Sequence, residues 1–433
     1  MEIVRANESC RVSNPLPVGA STVRPKWICC QLGAREHYSF ARALHAKGLL
    51  GGLVTDAWVP LGHPLGWLRR GLLERYHPDL ATASVRAWNL LTVGFELWAR
   101  RQGLRGWSLI MERNRWFQER VISSLSARQP STLNHQLILF SYSYTALEVF
   151  RFAKARGWRT VLGQIDPALA EERLVSRLQA DVGEMISRWR PAPADYWQRW
   201  REECTLADRI IVNSHYSREA LLSEGVSGEK IVVVPLAYAP PPEATAFSRE
   251  YPAAFTSARP LRVLFLGQVN IRKGMTPMLD AVRLLANEPV EFWFVGPRQM
   301  TVPTDVRTSA RIRWIGPVSR GETTSYYRKA DVFLFPTFSD GFGLTQLEAQ
   351  AWKLPVIASR FCGEVVQDGV NGILLREVRA DTIVRVLREL VDDPNRLREF
   401  SARSGVNGRF SFKALAASLI NLQETGCQQP ATR

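Results

Sequence analysis

The strongest constraint on the fold is an alternation of short apolar runs with longer stretches of helix-like spacing. In the first half of the chain the runs are WICCQL, GGLVT, LILFSY, TVLGQI, RIIVNS and KIVVVP. In the second half they are LRVLFLG, VEFWFVG, RIRWIG, DVFLFPT, LPVIAS and NGILL. A run that is apolar at nearly every position is buried on both faces, and strands buried on both faces belong to mainly parallel sheets covered by helices. Between the two sets, 237–260 (AYAPPPEATAFSREYPAAFTSARP) breaks the pattern with consecutive prolines and reads as an interdomain linker. The chain therefore predicts an α/β protein with two doubly wound, Rossmann-like domains in tandem.

Its 433 residues exceed what one hydrophobic core usually serves. A formal net charge of +15 attracts phosphate-bearing partners, whether nucleic acid, anionic lipid headgroups or a nucleotide ligand. Zinc-finger, RNP-like and helix-turn-helix signatures are absent from the sequence, which argues against nucleic acid. The six cysteines form no CxxC pair and no zinc-site spacing with histidine, so they read as reduced structural thiols, with Cys29 and Cys30 in a core strand. Residues 1–26 hold no signal-peptide core and read as a flexible tail, and no segment supplies the roughly 18 uncharged residues of a spanning helix. A cytoplasmic protein, soluble or peripheral on the inner face of a membrane, is expected.

One region departs from the alternation. Between 60 and 128, Trp67, Trp88, Trp98, Trp107 and Trp116 are interleaved with Arg69, Arg70, Arg75, Arg86, Arg100, Arg101, Arg105, Arg113, Arg115 and Arg120. Taken singly, each fits a helical insertion with tryptophans inside and arginines solvated. Taken together, they suit a face that lies on an anionic membrane or holds a ligand.

The segment 337–359, TFSDGFGLTQLEAQAWKLPVIAS, carries the densest chemistry. Gly341 and Gly343 permit positive φ and a close ligand approach, and a helix starting near Leu344 or Thr345 offers unpaired backbone N–H groups to an anion. Asp340 precedes this turn and Glu348 follows about one helical turn in, so both can border one ligand without touching. Upstream, LGQVNIRKG places Arg272 and Lys273 on a loop after a strand, at the carboxyl edge where α/β sheets bind ligands.

FPTFSDGFGLTQLEAQAWKLPVIAS, with YYRKADVFLFPT, LFLGQVNIRKG, WIGPVSR and GEVVQDGVNGILL in order, resembles the signature of GT-B-fold retaining glycosyltransferases of family 4, the glycosyl transferases group 1. The likeness covers most of 262–375. It implies two Rossmann-like domains facing across a cleft, and a nucleotide sugar, UDP- or GDP-linked, as substrate, with no metal and no cofactor. By resemblance, Glu348 holds the ribose, and Asp340 with the amides of Gly341, Phe342 and Gly343 holds the transferred sugar. The amides of Leu344 and Thr345 meet the phosphates, and Gly267, Gly316, Pro317 and Val318 line the nucleotide site. Arg272, Lys273 and Asp340 form the catalytic set. The chain departs from the family where Gln268 replaces an arginine and Asp340 a glutamate.

The expected boundaries are the tail at 1–26, an acceptor-side domain at 27–240 with the insertion at about 60–128, a linker at 241–260, a nucleotide-sugar domain at 261–408, and at 409–433 a C-terminal helix packing back on the first domain. QLGAREHYSF resembles the family's first glycine loop, with Gly33 facing the donor and His37 either functional, helix-capping or at the surface. The family histidine at the end of a middle strand is missing, and Gln164 or Asp166 stands in its place, with Asp166 either accepting a sugar hydroxyl, acting as a base or simply capping the turn before Pro167. LADRIIVNSHYSREALLSEGVSGEKIVVVPLAY resembles the end of the family's first domain, which implies that Asn213 and Ser214 face the cleft, with Ser214 placed to cap the next helix. The expected partners are a nucleotide sugar, a glycan or lipid-linked acceptor and an anionic membrane surface. An epimerase of the same fold, a nucleotide-sugar-binding subunit without turnover and a basic nucleic-acid-binding protein are the competing functions.

Overall fold

The structure, a computed structural model, describes residues 25–60, 62, 74–127, 137–182 and 189–425. Most of the expected tail, Cys10, Cys427, and Trp67, Arg69 and Arg70 of the insertion lie outside these residues.

The first domain contains β1 (Lys26–Gln31), β2 (Leu50–Thr55), β3 (Val85–Arg86), β4 (Leu137–Tyr142), β5 (Arg159–Gly163), β6 (Arg209–Val212) and β7 (Ile231–Val233). They form one sheet in the order β3-β2-β1-β4-β5-β6-β7, every pairing parallel. The second domain contains β8 (Leu261–Leu266), β9 (Val290–Val295), β10 (Ile312–Gly316), β11 (Val332–Phe335), β12 (Val356–Ser359) and β13 (Gly372–Leu375). Its sheet runs β10-β9-β8-β11-β12-β13, again all parallel. Each apolar run of the sequence lies in a strand. Only β3 escaped the pattern, because a two-residue edge strand has no room to show one.

In both sheets the order reverses beside the first strand, between β1 and β4 and between β8 and β11. A crevice opens outside the carboxyl ends at such a point, and ligands of open α/β sheets bind there. The two crevices face each other.

The stretch 237–260 joins the domains as a packed strap. Tyr251 and Phe255 enter the core of the second domain, and the Arg249 guanidinium donates to the backbone carbonyls of Tyr327, Arg328, Ala330, Trp352 and Lys353. Its prolines disguise these anchors. The last described helix, Phe412–Thr425, crosses back to the first domain, where Leu415, Ala416, Leu419 and Leu422 join the core around Trp27 and Phe140. Trp27 Nε1 donates to Gln423 Oε1 at 3.0 Å, tying this helix to β1.

Candidate active site between the two sheets

The donor-side residues converge on the carboxyl ends of β8 and β11. Asn270 caps a short turn at Ile271–Lys273 by accepting from the Lys273 amide. Gly274 follows at φ 75°, and a Cβ there would lie 1.9 Å from the Pro336 carbonyl, so only glycine lets this loop lie against the one after β11. The Arg272 carbonyl accepts from the Phe338 amide at 2.8 Å, joining the two loops. Lys273 Nζ is thereby carried into contact with the Asp340 carboxylate. Burial and the Arg272 charge push the Lys273 ammonium well below the ordinary lysine range, while the Glu171 carboxylate opposes that shift.

Arg272 points across the cleft. Its Nη1 donates to Ser339 O at 2.8 Å and to Glu171 Oε2 at 3.2 Å, and Ser339 Oγ donates to the same carboxylate oxygen at 2.7 Å. Glu171 belongs to the helix Ala168–Val182 of the first domain, and burial raises its pKa against the lowering influence of Arg272. Glu171 is not legible in the sequence, because nothing in ALAEERLV separates a cleft-facing acid from a solvated one.

The glycine turn differs from expectation at one position. Gly343 has φ 79°, as a left-handed turn requires, but Gly341 does not adopt positive φ. What excludes a side chain at Gly341 is proximity, since a Cβ there would lie 2.3 Å from the Ile165 carbonyl of the first domain. The Gly341 carbonyl accepts from Ser214 Oγ at 2.8 Å and Ser217 Oγ at 3.2 Å. Ser214 also caps the helix His215–Ser223 through the Ser217 amide. Asn213 is buried beside it and bonds toward Glu36.

Phe342 is buried against Leu236, Leu347, Val365 and Phe410, anchoring the turn. Its amide donates to Asp340 Oδ1 at 3.2 Å and is thus already engaged, contrary to the expectation that it faces a sugar. The amides of Leu344 and Thr345, at the start of the helix Thr345–Ala351, have no acceptor among the described residues. Glu348 accepts from Tyr327 Oη at 2.7 Å, and burial raises its pKa. Gly267 directly follows β8 and Gly316 ends β10, and Pro317 is exposed next to half-buried Val318.

The first domain supplies a cleft of about 820 Å³. Gly33 borders it at φ 82°, donating its amide to Asp56 Oδ1 at 2.9 Å, and Arg75 Nη1 holds the same oxygen at 3.0 Å. Asp56 and Arg75 went unread as site residues, although Asp56 directly follows β2 at the carboxyl edge, where such residues should be sought. Between β1 and the helix Ser39–Ala46, Glu36, His37 and Tyr38 all have φ between 49° and 58°. L-residues avoid this region, and such strain persists only where surrounding structure enforces it. Here Glu36 accepts from Tyr142 Oη at 2.9 Å, and His37 Nδ1 meets Arg320 Nη1 of the second domain at 2.6 Å.

His37 is therefore a bridge between domains, neither a helix cap nor a free surface group. Burial and Arg320 lower its pKa from 6.5 to about 4. A depressed pKa means that the unfolded chain takes up the proton first as pH falls. His37 thus contributes stability that is present above pH 6.5 and is lost as pH falls toward 4. In urea titrations, the drop in midpoint across that window should be smaller for His37→Asn than for the wild type. Equal slopes would contradict this assignment.

Gln164 and Asp166 have distinct positions. Gln164 is buried, accepts from Trp200 Nε1 at 3.0 Å and donates to Asp166 Oδ1 at 3.0 Å. Asp166 lines the cleft next to Gly341, its Oδ1 also accepting from Tyr144 Oη at 2.6 Å and the Ala168 amide at 3.0 Å. Gln164 holds the carboxylate that Asp166 presents. Tyr144, Tyr196 and Trp107 continue the wall, with ring centroids 4.8 and 4.9 Å apart. The insertion adds Phe95 and Trp116, stacked at 5.1 Å, and an Arg113–Glu96 ion pair.

Two parallel, doubly wound domains facing across a cleft define the GT-B class of fold. Within it, residues 260–393 match the family model described as glycosyl transferases group 1, so the second domain carries that family's domain. D-inositol 3-phosphate glycosyltransferase of Kineococcus radiotolerans is 28% identical over 276 residues, covering 56% of this chain and 62% of that protein. D-inositol 3-phosphate glycosyltransferase 2 of Catenulispora acidiphila is 31% identical over 179 residues, covering 37% and 42%. The chain spans about half the length of the curated relatives it matches. Among solved structures, sucrose-phosphate synthase from Thermosynechococcus elongatus superimposes with a TM-score of 0.62 at 17% identity, covering 92% of this chain and 98% of that one. Anabaena HepE in complex with UDP gives 0.58 at 13% identity, covering 92% and 100%.

Proposed function

We propose that the chain is a retaining, metal-independent glycosyltransferase that moves a sugar from a nucleotide-sugar donor to a hydroxyl of an acceptor held in the first domain's cleft. The observation that carries this reading is the convergence of Lys273, Asp340, Glu348 and the unpaired amides of Leu344 and Thr345 at the carboxyl ends of β8 and β11, opposite Asp166 and the aromatic wall. The group 1 domain match at 260–393 agrees with it.

In this reading Glu348 grips the ribose and Asp340 the transferred sugar, with the helix start and Lys273 on the diphosphate. Arg272 exchanges Glu171 for diphosphate oxygen when the donor binds. The bond from the anomeric carbon to the diphosphate breaks, the acceptor oxygen bonds to that carbon on the same face, and the acceptor proton passes to a diphosphate oxygen. Fixed cations suit this step because the departing diphosphate gains negative charge as the bond opens. No protein nucleophile and no metal is needed.

A UDP- or GDP-sugar is the proposed donor, and HepE structures that contain UDP and UDP-glucose lend weight to the uridine form. The acceptor is a glycan, a lipid-linked sugar or a small hydroxylated molecule, and the work is polysaccharide or glycoconjugate synthesis on the cytoplasmic side of a membrane. A thermal-shift panel of nucleotide sugars tests the donor, since a ligand bound only by the folded state raises apparent stability. Failure of every nucleotide sugar to shift the transition would overturn the reading. Glu348→Ala, which loses a hydrogen bond to a charged group worth about 1.5–3 kcal/mol, should weaken donor binding roughly 10- to 150-fold by calorimetry.

A further inference from the structure

Five of the seven exposed large apolar side chains among the described residues lie on one pair of helices in the insertion. On the helix Asn89–Arg101 they are Leu90, 74% exposed, Leu91, 50%, Leu97, 58%, and Trp98, 44%, while Ile110 lies on the following helix Gly106–Ser126. At 100° per residue, positions 90, 94, 97, 98 and 101 share one side of the first helix. The opposite side is also committed, because Thr92, Phe95 and Glu96 line the cleft. A helix whose inner side is already committed to the protein and whose outer side is apolar needs a second apolar environment for that outer face. A contiguous exposed apolar strip of this kind marks an interaction surface.

The charges around the strip identify its occupant. Between 82 and 111 the only acid is Glu96, and it is turned inward to Arg113. Arg86, Arg100, Arg101 and Arg105 are all exposed, and the guanidinium groups of Arg100 and Arg101 bond to nothing among the described residues. Leucines and a tryptophan beside unpaired arginines match the boundary between acyl chains and anionic headgroups. A protein partner would have to supply both an apolar groove and a dense acidic rim.

We propose that the outer face of the helix Asn89–Arg101 docks on an anionic lipid bilayer, with Leu90, Leu97 and Trp98 entering the headgroup layer and Arg100 and Arg101 pairing with lipid phosphates. The helix then has the bilayer on one side and the cleft on the other. An acceptor whose sugar is joined to a lipid reaches Asp166 from the membrane without crossing bulk water. The inference extends the membrane-side reading given above and depends on none of the transfer chemistry.

Flotation with vesicles tests it, using the full chain with phosphatidylglycerol mixed into phosphatidylcholine, against phosphatidylcholine alone. The protein should float with the anionic vesicles, far less with the neutral ones, and less as salt rises. Arg100→Glu combined with Arg101→Glu should weaken partitioning by about 30-fold or more, at roughly fivefold per lost arginine. Leu97→Asn should weaken it on anionic vesicles while leaving the melting temperature unchanged, because Leu97 makes little contact with the fold. No flotation, equal flotation of these variants, or a solution dimer that Leu97→Asn dissociates would overturn the proposal. The donor thermal shift of the same variants reports separately on the transferase reading and should match the wild type.

Discussion

Replacing Lys273 with alanine is expected to lower the transfer rate constant by about 10²- to 10³-fold, the range seen when one preorganised charge-stabilising group is removed from an active site. The loop that carries Lys273 has little freedom. The Asn270 cap fixes its start, Gly274 fixes its end against Pro336, and the Phe338 amide holds the Arg272 carbonyl. The ammonium is therefore already in place before the diphosphate departs and pays no reorganisation as charge develops. Its interaction strengthens as the glycosidic bond opens, so kcat should fall more than KM rises. Removing the cation also leaves the Asp340 carboxylate without its partner, and some loss of stability follows. Lys273→Met keeps much of the side-chain volume and separates the two effects. Single-turnover rates at saturating donor, with melting temperatures of both variants, check the prediction. Either variant turning over within a few-fold of wild type would remove Lys273 from the catalytic set.

Much of this arrangement could be read from the sequence, and the parts that could not share a physical cause. Strands such as VFLF and VIAS are apolar along their whole length because both faces are covered, so local pattern alone identifies them. The glycine turn and the Arg-Lys-Gly loop are likewise local, since their residue types are demanded by nearby backbone. Glu171, Asp56, Arg75, Tyr327 and Arg320 are different. Each acts through a partner at least 19 residues away, as with Arg75 and Asp56, and up to 283 away, as with Arg320 and His37. No periodicity encodes such meetings. The segment 237–260 was legible as the connection between domains, but the packing of Tyr251, Phe255 and Arg249 on the second domain was not, because it too is made with residues distant in sequence.

The interdomain contacts form one connected group. Arg272 and Ser339 hold Glu171, Ser214 and Ser217 hold the Gly341 carbonyl, His37 meets Arg320, and the His215 amide donates to Glu364 Oε1 at 2.9 Å. Most are polar and partly solvated, so each is worth about a kilocalorie per mole net. Such a seam keeps the domains registered and still lets a ligand exchange partners within it. Under the proposed transfer, Glu171 stands where exchange matters most, offering Arg272 a carboxylate until the donor's diphosphate arrives.

Gly341→Ala should produce the second large loss, about 100-fold in kcat/KM, with little change in melting temperature. The backbone at Gly341 is outside the positive-φ region, so alanine brings no conformational penalty of its own. Its Cβ would instead meet the Ile165 carbonyl at 2.3 Å, and a backbone atom cannot swing aside as a side chain end can. The domains must part at this point, stretching the Ser214 and Ser217 bonds and drawing Asp166 away from Asp340. A displacement of only about 1 Å between reacting groups can cost roughly 10²-fold in rate. Each domain keeps its own core, so folding is little affected. Gly343→Ala supplies the contrast, because φ 79° and the Phe335 ring at 2.6 Å make that site intolerant through the fold itself. It should lower the melting temperature as well as activity. The two variants are separated by measuring kcat/KM and thermal unfolding on the same samples. Full activity in Gly341→Ala would mean that this contact between domains is not the arrangement in which transfer occurs.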